Sequence, residues 1–300
     1  MTQEHHHNEN VNERNVVISI LLNLGITLLE FIGGLLSNSL ALVSDAFHNL
    51  SDTLAIFLSF LAIRFGRLPS NRRKTFGYKR LEILAALFNA SVLIGISLFL
   101  FVQAYQRLMN PEPVKGLLML SVAAAGFIGN FVSVLLLRKD SVWSLNVRAA
   151  YLHLLADTLS SVAVIIGAVL MMLFRLYWID PLLTFIIGMF IIRETYSVLR
   201  DTINILMEST PRGIDIDLIK AELEKDPMVD NIHHVHIWQL SDNQVHFECH
   251  ADLCSDLPLS QAEEVRMNME RMLREKYHIH HVTIQLEFFA CDDKTTIMGT

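Results

Sequence analysis

The chain has 300 residues, of which 52% are hydrophobic and only 18% charged, with a formal net charge of -7 and a mean hydropathy of +0.39. Such a composition excludes an ordinary soluble domain and makes a membrane protein the first reading. An acidic chain whose basic residues cluster beside apolar segments is also not expected to bind nucleic acid.

The opening "MTQEHHHNENVNERN" is polar and acidic, where a cleavable signal would be basic and then apolar, so the first span is expected to be retained. Residues 1–15 read as a cytoplasmic tail carrying His5, His6 and His7. Apolar segments then follow at 16–36, 40–62, 81–106, 115–137, 148–174 and 178–199. Each has about the 20 residues needed to cross a bilayer, which predicts a six-helix transmembrane domain over 16–207 in direct contact with lipid. Lys and Arg concentrate between the second and third spans (Arg64, Arg67, Arg72, Arg73, Lys74, Lys79, Arg80) and between the fourth and fifth (Arg138, Lys139, Arg148). By the positive-inside rule both termini face the cytoplasm, in an inner or plasma membrane.

At "NILMESTPRGIDID" the apolar runs stop, and Pro211 and Gly213 mark a linker into a cytoplasmic domain over 208–291. Its periodicities alternate as αββαβ, an α+β layer of the ferredoxin-like, split-βαβ kind, with a turn at Ser241 to Asn243. Residues 292–300 read as disordered. Cys249, Cys254 and Cys291 all follow the last span, in a reducing compartment, so no disulfide framework is expected.

Two heptapeptides repeat one pattern inside apolar spans: "HNLSDTL" from His48 and "HLLADTL" from His153. Residues four apart share a helix face, so His48 stacks with Asp52 and His153 with Asp157. Facing helices would converge two imidazole nitrogens and two carboxylates, the donors Zn²⁺ takes tetrahedrally, with two negative charges to offset the ion's own. The spans lack the Glu-x-x-His pairs of a di-iron oxidase and the His-Glu-x-x-His of a zinc peptidase, so a transport site is expected and an enzyme is not. Metal and protons would compete for the same donor atoms. Asp45 and Glu30 are further acids near this face that could line a cavity, with Glu30 and Asn23 alternatively bridging helices. Asn130 reads as interhelical glue and Asp180, before Pro181, as the N-cap of the sixth span.

Six spans, the paired His-x-x-x-Asp motifs, "SNSLALVSDAFHNLSD" and the αββαβ domain resemble the cation diffusion facilitator family, particularly its zinc-transporting branch, over about residues 16–290. The resemblance implies a homodimer that exports divalent metal, Zn²⁺ foremost and Co²⁺ or Cd²⁺ besides, in exchange for protons. His48, Asp52, His153 and Asp157 would form its transport site, and members with Asp in place of the first His accept softer or larger ions more readily. "TFGYKRLE" resembles the start of the family's third span, where a cation pairs with an acid at the inner edge of the membrane, here Arg80 (or Lys79) with Glu208.

Eight of the 13 histidines fall in the last domain. "HHVHIW", "FECHADL" and "HIHHVTIQLE" resemble the family's cytoplasmic zinc strands, which implies His236, His250, His280 and Glu287 as ligands. Gln285 and Glu263 stand where some members place histidines of a binuclear cluster. Asn71, Lys74 and Tyr78 stand where others hold a loop metal, so that loop site is not expected. The expectation is a zinc/proton antiporter; its rival is a membrane-anchored zinc sensor with the same four ligands as a static site.

Overall fold

The computed structural model describes residues 13–66, 68–138, 145–241, 244–290 and 294–297. The tail with His5, His6 and His7, the basic residues Arg67 and Lys139, turn residues 242 and 243, and Cys291 lie outside the described residues. Six long helices come first: α1 (Glu13–Ser37), α2 (Leu40–Gly66), α3 (Leu81–Met109), α4 (Gly116–Leu137), α5 (Leu145–Phe174) and α6 (Ile179–Leu206). They follow the six apolar segments, except that α6 runs on past residue 199 through "RDTINIL", whose residues are compatible with helix but not with hydrocarbon. Among the described residues, α3, α4, the part of α5 from Tyr151 to Phe174, and α6 are long and apolar enough to cross a membrane, while the apolar part of α1, Leu21–Ser37, is shorter.

The chain divides into two units, one built from 1–60 with 88–199 and the other from 61–87 with 200–300. In the first, α4 packs against both α1 and α5. Its core gathers Leu42, Leu93, Met119, Val122, Val164, Met171 and Ile187 from five helices. Leu28, Phe88, Leu117, Ile128, Leu173 and Met189 are all more than half exposed. An apolar surface that extensive on one small unit needs lipid as its solvent.

One carboxylate organises the start of α2. Asp180, in the first turn of α6, is fully buried and accepts from Ser39 Oγ at 2.6 Å and the Leu40 N–H at 2.8 Å. The Ala41 N–H lies 3.4 Å away, and Arg107 at the end of α3 approaches to 3.8 Å. Asp180 thus caps α2 across the bundle rather than its own helix, because the orphan N–H groups of α2 are the buried donors nearest to it. Asn130 is buried, and neither end of its amide finds a hydrogen-bond partner among the described residues, so it does not act as the interhelical glue expected of it.

The second unit holds α7 (Ile216–Leu223), β1 (Val229–Ser241), β2 (Gln244–Leu253), α8 (Leu259–Tyr277) and β3 (His281–Glu287). Asp215 caps α7 by accepting from the Asp217 and Leu218 N–H groups. The αββαβ order is present, but the split-βαβ arrangement is not: the sheet runs β1-β2-β3 with β2 and β3 directly paired in parallel. Strand β1 pairs antiparallel with one edge of β2, leaving the other edge for β3 after the α8 crossover. Residues 294–297 lie in the tail expected to be disordered, yet Thr295 and Thr296 accept from the His234 and Val235 N–H groups at 3.1 and 2.8 Å. Lys294 adds ion pairs to Asp230 and Asp252. Cys249 sits in the domain core among Ile232, Phe247 and Leu273, where burial pushes its thiol up to about 12 and keeps it protonated.

Candidate metal centres

Helices α2 and α5 bring the two His-x-x-x-Asp pairs together. His48 Nε2 lies 3.6 Å from Asp52 and 3.8 Å from Asp157. His153 Nε2 lies 3.1 Å from Asp52 and 3.5 Å from Asp157. A tetrahedral Zn²⁺ with bonds of ~2.0–2.1 Å sets its ligand atoms roughly 3.3–3.4 Å apart, which matches the middle of this range. Asp52 Oδ2, His153 Nε2 and Asp157 Oδ2 are buried without a hydrogen-bond partner among the described residues. Donor atoms that approach closely without hydrogen-bonding point to a shared centre, the geometry expected of a cation's ligands. The centre is not symmetric: the side chains of His48 and Asp157 are 9% and 5% exposed, those of Asp52 and His153 both 31%.

Asp45 and Glu30 part company. Asp45 lines a cavity of about 320 Å³ with His48, Asp157 and Ser160, and accepts from Ser160 Oγ on α5 at 3.1 Å. Glu30 is buried, accepts from Asn49 Nδ2 at 2.9 Å and faces Gly126. It bridges α1, α2 and α4 and is not among the residues lining that cavity.

In the second unit Arg80 Nη2 lies 2.7 Å from Glu208 Oε1. Lys79 instead donates to Gln244 Oε1 at 2.6 Å. The histidines sort differently from expectation. His250 Nδ1 is 2.7 Å and His233 Nε2 3.5 Å from the two oxygens of Glu287. The rings of His233, His234 and His250 pack mutually at 4.9–5.5 Å, and one nitrogen from each falls within 4.8 Å of the others.

His236 and His280 do not belong to this cluster, since both are exposed. The reason is local: the β1-β2 register shifts between His233 and His236, and His234 takes a φ of +50°. The irregularity turns His233 and His234 both inward and His236 outward. The adjacent pair "HH" was the only trace of it in the sequence. His280 accepts from the Val245 N–H, and His278 is the left-handed cap of α8. Burial, and next the neighbouring His234, hold His233 below the ordinary imidazole range, so it is neutral and has a free lone pair at pH 7. Both nitrogens of His233, His234 Nε2, His250 Nδ1 and Glu287 Oε2 are buried without hydrogen bonds among the described residues. Three imidazoles and a carboxylate left in this condition suit a zinc ion.

Comparison with known proteins decides the family. The model described as "Cation efflux transmembrane domain" matches residues 16–207, and "Cation efflux protein, cytoplasmic domain" matches 211–289. The chain belongs to the cation efflux family. Members of the family are transporters and not enzymes, and this one is a multi-pass membrane protein with a C-terminal cytoplasmic domain. Its relatives include the "Cadmium, cobalt and zinc/H(+)-K(+) antiporter" of Bacillus subtilis (strain 168), 38% identical over 98% of this chain and 95% of that one. The "Zinc transporter ZitB" of Pectobacterium atrosepticum is 38% identical over 98% and 91%. The "Metal cation efflux system protein CzcD" of Cupriavidus metallidurans is 35% identical over 94% and 88%.

Proposed function

We propose that the chain is a zinc/proton antiporter that exports Zn²⁺, with Co²⁺ and Cd²⁺ as further substrates, by alternating access through His48, Asp52, His153 and Asp157. The observation that carries this reading is the convergence of these four side chains, from two apolar helices, at separations of 3.1–3.8 Å. With α1 to α6 as six spans and both termini inside, α2 runs inward and α5 outward. Asp52 and His153 then form the half of the centre nearer the cytoplasm, and they are the more exposed pair. This supports a cytoplasm-facing state, open for loading at Asp52 and His153.

Exchange follows from the donor set. Every atom that binds the cation is also a proton acceptor, so releasing the metal leaves two carboxylates and two imidazoles free to take protons back. Asp45, beyond His48 on α2, offers a carboxylate on the far side of the site. The names of the relatives, a zinc transporter and a cadmium, cobalt and zinc/H(+)-K(+) antiporter, agree with this cargo.

In the cytoplasmic domain His233, His234, His250 and Glu287 would hold a resident zinc, which would supply a cross-link between β1, β2 and β3. The match to a dimerisation domain family supports a homodimer. The deciding experiment is Zn²⁺ flux into proteoliposomes loaded with a zinc indicator, with and without a proton gradient. Saturable, gradient-driven flux that Asp157→Ala abolishes is expected, together with a gain of Cd²⁺ flux in His48→Asp. Zinc binding without flux at any gradient would sink the transporter and leave a static site.

A further inference from the structure

The second unit contains a cavity of about 780 Å³ whose rim carries Arg73, Lys74, Lys79 and Arg80 against Glu208 and Glu248. Only Arg80 has its charge met, by Glu208. Among the described residues no carboxylate lies within ion-pair distance of Arg73, Lys74 or Lys79. The Lys79 ammonium donates to the neutral amide of Gln244, and that of Lys74 sits 4.0 Å above the Tyr78 ring. Arg80 Nε is buried with no hydrogen-bond partner. The walls mix apolar side chains, Phe76, Ile216, Ile237, Trp238, Leu240 and Ile297, with the polar Thr75, Thr210 and His236.

Uncompensated cations over a hollow walled half by apolar side chains suit an anion that brings both polar headgroup and hydrocarbon with it, and the volume is far too large for a bare phosphate. The cationic rim immediately precedes α3, one of the helices long and apolar enough to cross a membrane, so it lies at the surface of the bilayer. Basic clusters there attract anionic headgroups by about 1 kcal/mol per Lys or Arg. We propose that this cavity binds the phosphate headgroup of an anionic phospholipid. The cavity's β1 wall begins at Val235, directly after His233 and His234, so the headgroup touches the strand that carries two of the cytoplasmic metal ligands.

Native mass spectrometry of the full chain, given phosphatidylglycerol and phosphatidylcholine at equal concentration, tests this. Wild type and the charge-retaining Arg73→Lys/Lys74→Arg/Lys79→Arg variant should retain phosphatidylglycerol at least about tenfold over phosphatidylcholine, by the same charge count. Arg73→Gln/Lys74→Gln/Lys79→Gln should lose most of that preference; if it does not fold, Lys74→Gln and Lys79→Gln singly should each lose a several-fold share. An unchanged preference in the neutralised variants, or an equal loss in Arg271→Gln/Arg274→Gln on α8, would overturn the site. Displacement of the lipid by glycerol 3-phosphate or AMP at matching concentration would assign the cavity to a soluble phosphate ester and overturn the lipid. Binding is read without flux, so its failure leaves the antiport reading untouched, and failure of flux leaves this one untouched.

Discussion

Replacing Asp180 by alanine tests whether one buried carboxylate anchors the helix that carries His48 and Asp52. The substitution leaves the Ser39 hydroxyl, the Leu40 and Ala41 N–H groups and the Arg107 guanidinium facing a void where the carboxylate was. Hydrogen bonds to a charged group contribute about 1.5–3 kcal/mol each, so the two short ones account for roughly 3–6 kcal/mol on that scale. Breaking a buried charge pair by removing one partner costs about 3–5 kcal/mol, and we take that narrower range. Arg107 keeps its bonds to the Asn38 carbonyl and side chain at 2.6 Å, which limits the damage at the C-terminal end of α3. Ser39→Ala removes one donor and the cap of the Leu42 N–H, worth about 0.5–2 kcal/mol. Asp180→Asn keeps an acceptor and should fall between. Equilibrium unfolding of the full chain in detergent should rank the variants wild type, Ser39→Ala, Asp180→Asn, Asp180→Ala, with calorimetric zinc affinity falling in the same order. Should Asp180→Ala unfold within about 1 kcal/mol of wild type, below what a single charged hydrogen bond contributes, the cross-bundle cap is not what holds α2.

Gly126→Ala drives a Cβ into Glu30 Oε1, whose carboxylate is held by Asn49, whereas Gly129→Ala meets the Cδ1 and Cγ1 of the Ile26 side chain; overpacking should cost the first about 1–3 kcal/mol and the second less, with equal melting shifts refuting the Glu30 bridge. With Asp157→Ala silencing the membrane centre, His233→Ala or His250→Ala should remove one zinc per chain in an equilibrium dialysis count, while His236→Ala should remove none. A chelator should raise amide exchange along β1 and β2 in that background and leave it unchanged in His233→Ala. His246 is held below the ordinary imidazole value by burial first, then by His281 and Lys79. Its unfolded form takes a proton below about pH 6.5 while the folded form resists. Stability is therefore intact at higher pH and lost as pH falls through that value, so His246→Gln should flatten the decline of β2 exchange protection between about pH 7 and 5. An identical decline in both proteins would show that another group carries it.

What could be read from the sequence divides by the range of the interaction that fixes it. Helix positions follow from the length of apolar runs, a one-dimensional property, so α1 to α5 and the start of α6 appear within a few residues of the segments drawn from hydropathy. The His48, Asp52, His153 and Asp157 centre was legible for the same reason, because i,i+4 spacing is local and a repeated motif suggests two facing copies. Period-2 reading of β1 presumes an unbroken ladder, and under that assumption His234 and His236 share a face while His233 takes the other. The register shift breaks the assumption, and what stabilises it lies more than 50 residues away, where the Thr295 and Thr296 carbonyls accept the two N–H groups of His234 and Val235. No window of sequence around β1 contains that information. Asp180 fails in the same way: beside Pro181 it has every local mark of an N-cap, and only the packing of α6 against the start of α2 shows that its partners are 139–141 residues distant. A carboxylate satisfies whichever buried donors lie nearest in space, so local signals identify a capping residue and leave open the helix it caps.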